Sequence, residues 1–152
     1  MHQRVEHNRA HLGWLDSILA RYPDLVIENC GSGGGRMDYA MLSRLQIQSM
    51  TDQEDYLKLP AILVGASAAV LPEQLAIWSY PLAGADADQA SFNMVTAMMC
   101  RIHQSGRLDS LSADVWKQVA AGLRIYKALL RPPIPEAVPA SSAERRVGKE
   151  CR

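Results

Sequence analysis

A run of glycines that directly follows a short apolar stretch constrains most strongly how this chain can fold. Leu25-Val26-Ile27 is preceded by Pro23-Asp24 and followed, after three polar residues, by four glycines between positions 31 and 35. This pattern predicts a short buried strand that runs into a loop. The residues at the junction are Glu28-Asn29-Cys30. Because α/β folds bind ligands at the carboxyl ends of their strands, the sequence predicts a binding site at this junction.

The residues alone leave several interpretations of the glycine run open. A dinucleotide-binding fingerprint requires Gly-x-Gly-x-x-Gly, but the frame that begins at Gly31 has Arg36 in place of the third glycine. A flexible loop, whose glycines permit positive φ angles, is a second interpretation. A pocket for a small polar ligand such as a sugar ring is the third, because glycines let a ligand approach the backbone amides. Polar side chains surround the same turn, namely Glu28, Asn29, Cys30, Arg36 and Asp38.

A second motif follows a short helix predicted over residues 39–44. Residues 45–50 alternate in period two, which is typical of a strand, and they deliver Thr51 and Asp52 to its carboxyl end. Taken alone, Asp52 has the pattern of a helix N-cap, since residues 53–57 can continue as a helix. The local pattern therefore favours a structural role for Asp52.

The two motifs together resemble the paired signatures of glycoside hydrolase family 36, the bacterial-type α-galactosidases. The stretches that carry the resemblance are Glu28-Asn29-Cys30-Gly31-Ser32-Gly33-Gly34-Gly35-Arg36-Met37-Asp38 and Thr51-Asp52-Gln53-Glu54-Asp55. The likeness extends from about residue 7 to residue 139. In that family the cysteine and the third residue after it line the pocket for the terminal galactose, and the first aspartate of a Ser-Asp-x-x-Asp motif is the general acid/base.

The resemblance therefore implies that Cys30 and Gly33 bind substrate and that Asp52 is the catalytic acid/base. Thr51 stands where the family has serine. With Asp52 in a catalytic role, Asp55 becomes the better candidate for a structural carboxylate. A small floor made by a cysteine and a glycine also suits a plain 2-hydroxyl group, which favours galactose over N-acetylgalactosamine.

The resemblance also implies a retaining mechanism, in which two carboxyl groups about 5–5.5 Å apart divide the work. The family's nucleophilic aspartate lies on an earlier strand in a Lys-x-Asp context, and that tripeptide occurs nowhere in this chain. We therefore expect a fragment of a retaining α-galactosidase that is inactive alone. A nucleotide- or sugar-binding half-barrel without catalysis is the alternative. Transfer of galactose, as in raffinose synthases, fits the family equally well.

The rest of the chain predicts an α/β fold in which parallel strands alternate with helices. A complete (β/α)8 barrel needs about 250 residues, so this chain of 152 residues is predicted to be the C-terminal half of a TIM barrel. Trp78 is expected in the core and His103 in a structural role. The predicted elements outside the two motifs are a helix over 2–22, a buried strand over 61–70, a helical piece from 71–74, a helix from 88, a strand over 100–106 and a helix over 112–131.

The sequence divides into three predicted parts. Residues 1–131 form the partial catalytic barrel, and residues 132–139 are an exit linker toward a β-sandwich domain that is absent from this chain. Residues 140–152 are expected to be a non-native tail, because Glu144 to Arg152 resembles the translation of a sequencing-adapter oligonucleotide. We therefore expect a chain truncated at both ends.

Composition indicates which partners to expect. A formal net charge of zero and 48% hydrophobic residues argue against a nucleic-acid or membrane partner, and the polar beginning argues against a signal peptide. Cys30, Cys100 and Cys151 are scattered, so no disulfide framework, metal site or cofactor is predicted and a cytoplasmic location is expected. The expected partner is a small-molecule or oligosaccharide α-galactoside. Whether the full-length protein forms a homo-oligomer stays open.

Overall fold

The computed structural model describes residues 2–131, with side-chain burial from residue 4 onward. Within that range helices alternate with short strands. In chain order the elements are α1 (His2–Arg21), β1 (Glu28–Asn29), α2 (Tyr39–Leu42), β2 (Ile47–Ser49), α3 (Leu59–Ser67), β3 (Leu75–Ser79), α4 (Ala87–Ala97), β4 (Arg101–Gln104), a 3-10 turn (Leu108–Ser110), α5 (Ala113–Ile125) and a π-helical turn (Tyr126–Leu130).

The strands form one sheet in the order β1-β2-β3-β4, and each neighbouring pair is parallel. Parallel neighbours need a crossover connection, and α2, α3 and α4 supply it between successive strands. Each crossover in turn places its helix against a face of the sheet. The predicted α/β alternation is therefore confirmed.

The sheet is strongly curled, as a contact between its two outer strands indicates. Neighbouring strands lie about 4.8 Å apart, so a flat sheet would separate β1 from β4 by roughly 14 Å. Instead, Oε1 of Glu28 lies 3.5 Å from Nδ1 of His103. When the pairing register is followed from Glu28 through β2 and β3, it leads to Met99. Met99 is four residues before His103, so successive strands are staggered along their length. A stagger of about one residue per strand is typical of an eight-stranded barrel with a shear of eight.

The main apolar core lies between the sheet and the helices that cross it. Leu75 and Ile77 on β3 are fully buried and pack with Leu59 and Leu63 of α3. A second cluster joins α4 to α5 through Met94 and three neighbours, namely Ala90, Val115 and Val119. Burial of these side chains on one face leaves the other face of the sheet to carry polar groups.

The stretch 25–27, predicted as a buried strand, is not buried. The exposed fractions of Leu25 and Val26 are 42% and 59%, and strand pairing begins only at Glu28. The physical reason is position, because β1 is at the edge of the described sheet and pairs with β2 alone. An edge strand receives cover from one side only.

The predictions for residues 61–74 were wrong. The apolar run is helix α3 rather than a strand, and residues 71–74 form a turn in which the amides of Gln74 and Leu75 donate to the carbonyl of Leu71. Periodicity cannot separate a short buried strand from a helix in a run of small apolar residues. Pro60 in the first turn of α3 fits a helix start.

The other predicted elements are confirmed, with boundaries that differ by a few residues. Ser112 caps α5, since its hydroxyl accepts a hydrogen bond from the Val115 amide at 3.3 Å. Trp116 on this helix is 46% exposed. The predicted linker over 132–139 and tail over 140–152 lie outside the described residues.

Candidate functional site

The two sequence motifs lie side by side at the carboxyl end of the sheet. Cys30 follows β1 directly, and Asp52 follows β2 by three residues. Because β1 and β2 are parallel neighbours, their carboxyl ends and the loops that follow lie at the same end of the sheet. Both side chains are exposed there. (β/α)8 barrels place their active sites at this carboxyl end of the strands.

Gly33 brings the two loops into direct contact. Its φ angle is +68°, and a Cβ atom placed on it would lie 2.6 Å from Cα of Thr51 and 2.9 Å from the Asp52 amide nitrogen. Real Cβ atoms do not approach other atoms so closely, so any side chain here would push the loops apart. The backbone of the glycine loop therefore packs directly against the residue predicted to be catalytic.

A buried pair of amide side chains anchors the start of the glycine loop. Nδ2 of Asn29 donates to Oε1 of Gln48 at 2.6 Å and to the carbonyl of Arg36 at 2.8 Å. Gln48 in turn donates to the Ser49 carbonyl at 2.7 Å. Both side chains are almost fully buried, where unpaired polar groups are costly. The amide of Asn29 is therefore occupied in holding the loop.

The polar residues that crowd the glycine turn in sequence separate in space. Glu28 turns toward His103 on β4, and Asp38 caps α2 by accepting a hydrogen bond from the Met41 amide at 3.0 Å. The aliphatic part of the Arg36 side chain lies over Gly31. Cys30 is exposed beside the glycines, as is Arg36, whereas Asn29 is buried.

Asp52 does not cap a helix, so the local interpretation of this residue was wrong. Residues 51–55 have no regular structure, and α3 begins at Leu59 after Lys58. Asp55, rather than Asp52, stabilises this loop through two contacts. It accepts a hydrogen bond from the Leu57 amide at 3.0 Å and lies 3.2 Å from Nζ of Lys58. The Leu57 amide, together with Lys58, holds the pKa of Asp55 below its usual value.

An aromatic group lies beside these loops on the face that carries Glu28 and His103. Nε1 of Trp78 donates to Oγ of Ser49 at 2.9 Å, and its ring meets the His103 ring edge-on with centroids 5.2 Å apart. Trp78 was predicted in the core, but it is only half-buried. Its ring also stacks on Tyr80 at 6.4 Å.

Tyr80 is a residue that the sequence analysis missed. Burial raises the pKa of its hydroxyl, a hydrogen bond with Ser105 opposes that effect, and the negative charges of Asp52 and Glu54 raise the pKa further. Tyr80 directly follows the buried strand β3, and this position is the signal from which the sequence could have identified it.

The described residues contain no group of three or more His, Cys, Asp or Glu side chains placed to hold a metal ion. Nor does any helix within residues 2–131 have both the length and the apolar character needed to span a membrane.

The chain matches no known family model and no curated protein sequence. It does match solved structures. The galactosidase domain of the α-galactosidase-sucrose kinase AgaSK shares 24% identity with a TM-score of 0.66, over 76% of this chain and 16% of that one. The GH36 α-galactosidase AgaB from Geobacillus stearothermophilus shares 20% identity with a TM-score of 0.66, over 74% of this chain and 16% of that one.

A doubly substituted AgaA from the same organism, solved in complex with raffinose, gives the same figures: 20% identity, a TM-score of 0.66, 74% of this chain and 16% of that one. At 20–24% identity, the likeness to these structures is a likeness in fold. This chain spans about 16% of the length of these structures. Its four parallel β/α units therefore have the fold of one portion of the TIM barrel of GH36 α-galactosidases.

Proposed function

We propose that this chain is part of a retaining α-galactosidase, in which Asp52 is the general acid/base and Cys30 and Gly33 bind the terminal galactose. The observation that carries the proposal is the packing of Gly33 against Thr51 and Asp52. That contact joins the two motifs whose pairing resembles the family. The likeness in fold to GH36 α-galactosidases supports it.

The surroundings of Asp52 suit proton transfer to and from a bound substrate. The residue lies in an irregular loop at the carboxyl edge of the sheet, and its side chain is exposed. In a retaining mechanism it first protonates the oxygen of the leaving group and later deprotonates the attacking water. The nucleophilic carboxylate belongs, in this proposal, to an earlier barrel strand of the full-length protein.

Cys30 and Gly33 suit a floor beneath a sugar ring. The Cys30 thiol is exposed next to the loop and is a weak hydrogen-bond donor. The backbone around Gly33 is buried and held by its contact with Thr51. The small size of both residues leaves room for the 2-hydroxyl group of galactose.

The test uses the full-length gene recovered from the source DNA. Asp52→Asn should lower kcat/KM for an α-galactosyl disaccharide by about 10²–10⁴-fold, the usual contribution of a general acid. Reaction with α-galactosyl fluoride should lose far less in its first step, because fluoride leaves without a proton. Azide should then restore turnover, since it attacks the intermediate without a general base.

Glu54→Gln is the matched control, because it removes an exposed carboxylate from the same loop. This variant should keep its kcat/KM within a few-fold of the unmodified enzyme. Full disaccharide activity in Asp52→Asn would refute the assignment of Asp52. A full-length protein without activity on either substrate would refute the proposed function itself.

A further inference from the structure

A cavity of about 400 Å³ lies between α1 and the segment that leads from the glycine loop into α2. One face of α1 forms one wall, and residues between positions 36 and 41 form the other. Small-molecule sites typically have volumes of about 300–1,000 Å³, so the cavity is large enough for a compact ligand. The polar residues that line it are His7, Asn8, His11, Arg36 and Asp38.

The two walls of the cavity are held together by an ion pair and by apolar packing. Nε and Nη2 of Arg44 donate to Oδ1 and Oδ2 of Asp16 at 2.7 and 3.1 Å. Leu15 of α1 is buried in a cluster with Met41 and Leu45. A bidentate pair of this kind fixes direction as well as distance. The separation of α1 from α2, and with it the width of the cavity, is therefore set by contacts within the fold.

Nitrogen donors predominate in the polar part of the wall. His7 and His11 are one helical turn apart on α1, and Asn8 lies on the same face. Arg36 contributes from the opposite wall, where a Cβ atom on Gly31 would lie 2.9 Å from its Cγ atom. Gly31 therefore leaves the space that this side chain occupies. Among the described residues, none of the ion pairs involves the two histidines or the arginine.

The net charge of the cavity depends on its histidines. Arg36 and Asp38 carry opposite charges, and Oδ1 of Asp38 also accepts a hydrogen bond from the Met41 amide at 3.0 Å. Histidine gains its positive charge near neutral pH, so protonation of His7 and His11 makes the cavity positive. The other charged groups among the described side chains of α1 and the α2 region are Arg4, Arg21, the pair of Glu6 with Arg9 and the pair of Asp16 with Arg44.

We infer that this cavity binds a tetrahedral oxyanion of the phosphate class, as free phosphate or as a phosphate monoester. The guanidinium of Arg36 is a planar fork of donors that matches phosphate oxygens. Together with two imidazolium rings and an amide, it offers more donors than a carboxylate can accept, whereas a phosphate group has at least three acceptor oxygens. Leu12 and Met41 add apolar surface for the organic part of a monoester.

The inference does not depend on the proposed α-galactosidase function. Cys30, Gly33 and Asp52, which are proposed to act on galactose, do not line this cavity. Binding of a phosphate and turnover of a galactoside can therefore be measured and lost separately.

The experiment titrates the full-length protein with anions by isothermal calorimetry, in a low-salt buffer without phosphate. Sulfate is the probe for pH dependence, because it keeps one charge state between pH 6 and pH 8 while histidines lose theirs. We expect saturable binding of sulfate and of inorganic phosphate at pH 6, and a sulfate affinity about tenfold lower at pH 8. Phenyl phosphate at pH 6 tests whether a monoester binds more tightly than phosphate itself.

Substitutions assign the binding to this cavity. Arg36→Gln should weaken the binding of inorganic phosphate at pH 6 about tenfold or more, because it removes a charge-assisted hydrogen bond. A variant with both His7→Gln and His11→Gln should bind sulfate equally at pH 6 and pH 8. Arg9→Gln is the matched control, because Arg9 is an exposed arginine of α1 that pairs with Glu6. Its affinities should stay within about twofold of the unmodified protein.

A second variant tests the cavity if Arg36→Gln fails to fold, as read by far-UV circular dichroism. Ala40 is exposed, lines the cavity and lies in the first turn of α2, where an acidic side chain is favourable for a helix. Ala40→Glu adds a negative charge to the cavity and should lower the affinity for phosphate about tenfold or more.

Two outcomes support the inference and distinguish the ligands. Tighter binding of phenyl phosphate than of inorganic phosphate would assign a monoester, and equal binding would assign free phosphate. A full-length protein that binds neither sulfate nor phosphate at pH 6 would overturn the inference. Unchanged affinity in folded Arg36→Gln or Ala40→Glu would overturn it too, because the anion would then bind elsewhere. A protein that binds phosphate here but hydrolyses no galactoside would refute only the α-galactosidase proposal.

Discussion

At the scale of single residues, Gly33 decides how closely the two motif loops approach. Its positive φ angle and its contact with Thr51 both require the absence of a side chain. Gly84 also has a positive φ angle, +86°, but a Cβ atom placed there would meet nothing within 4 Å. Alanine at Gly84 would therefore cost only the free energy of a left-handed backbone, whereas alanine at Gly33 would add a steric clash.

We expect Gly33→Ala to destabilise the full-length protein more than Gly84→Ala does. Both alanines adopt a left-handed conformation that costs about 1 kcal/mol, and only Gly33→Ala adds a clash with Thr51 and Asp52. The difference should reach roughly 1–3 kcal/mol, measured by urea denaturation. Gly33→Ala should also lower kcat/KM, because it displaces Asp52. Equal effects of the two substitutions would contradict the close packing.

The described cysteines should differ sharply in reactivity. Cys30 is exposed, whereas burial raises the pKa of the Cys100 thiol to about 11. We expect iodoacetamide at pH 8 to alkylate Cys30 and to spare Cys100, as read by peptide mass spectrometry. A saturating α-galactoside should slow the reaction at Cys30 if that residue lies in the galactose pocket. Rapid alkylation of Cys100 in the folded protein would contradict its burial.

Cys100 also predicts a pH dependence of stability. Its pKa is higher in the folded than in the unfolded chain, so the folded state retains a proton that the unfolded state loses above about pH 8.5. The free energy of unfolding should therefore decrease as the pH rises from about 8.5 toward 11. Cys100→Ala should flatten this decrease in urea denaturation measured across that range.

At the scale of elements, local signals located the helices better than the strands. The capping box of α4, formed by Asp86 and Gln89, and the Ser112 cap of α5 both lie where the helices begin. Such caps act through bonds to residues two or three positions away, so the sequence displays them directly. The α3 region lacks a side-chain cap, and there the prediction failed.

We expect Ser112→Ala to destabilise α5 by about 1 kcal/mol, because the Val115 amide loses its acceptor. Thermal unfolding of the full-length protein should show a midpoint lower by a few degrees. Ser67→Ala is the control, since Ser67 is exposed near the end of α3 and donates only to the Val64 carbonyl. Its midpoint should move much less. A larger shift in Ser67→Ala would refute the assigned cap.

At the scale of the whole molecule, the described sheet has two edge strands, and apolar side chains are exposed near β1 and on or after α4. Val26 lies beside the β1 edge, and Phe92, Val95 and Met99 are exposed on or after α4. A closed barrel has no such edges, because the remaining strands pair with them.

We therefore expect residues 1–131, expressed alone, to aggregate or to form a molten state. Near-UV circular dichroism should lack sharp aromatic signals, and a dye that binds apolar surface should fluoresce. Co-expression with the preceding half of the barrel from the full-length gene should restore a cooperative melt. A monomeric, cooperative melt of the isolated chain would refute this prediction.

The sequence by itself determined the alternation of strands and helices, the two motif loops and most helix starts. These features depend on neighbours in the chain, through periodicity, capping and the conformational range of glycine. The tertiary structure decided which polar groups remain for a ligand, because Asn29 pairs with Gln48 and Glu28 reaches across the curled sheet to His103. It also decided that residues 59–67 are helical and that the Tyr80 ring stacks on Trp78. Burial and pairing between distant residues set these outcomes, and a local pattern does not contain them.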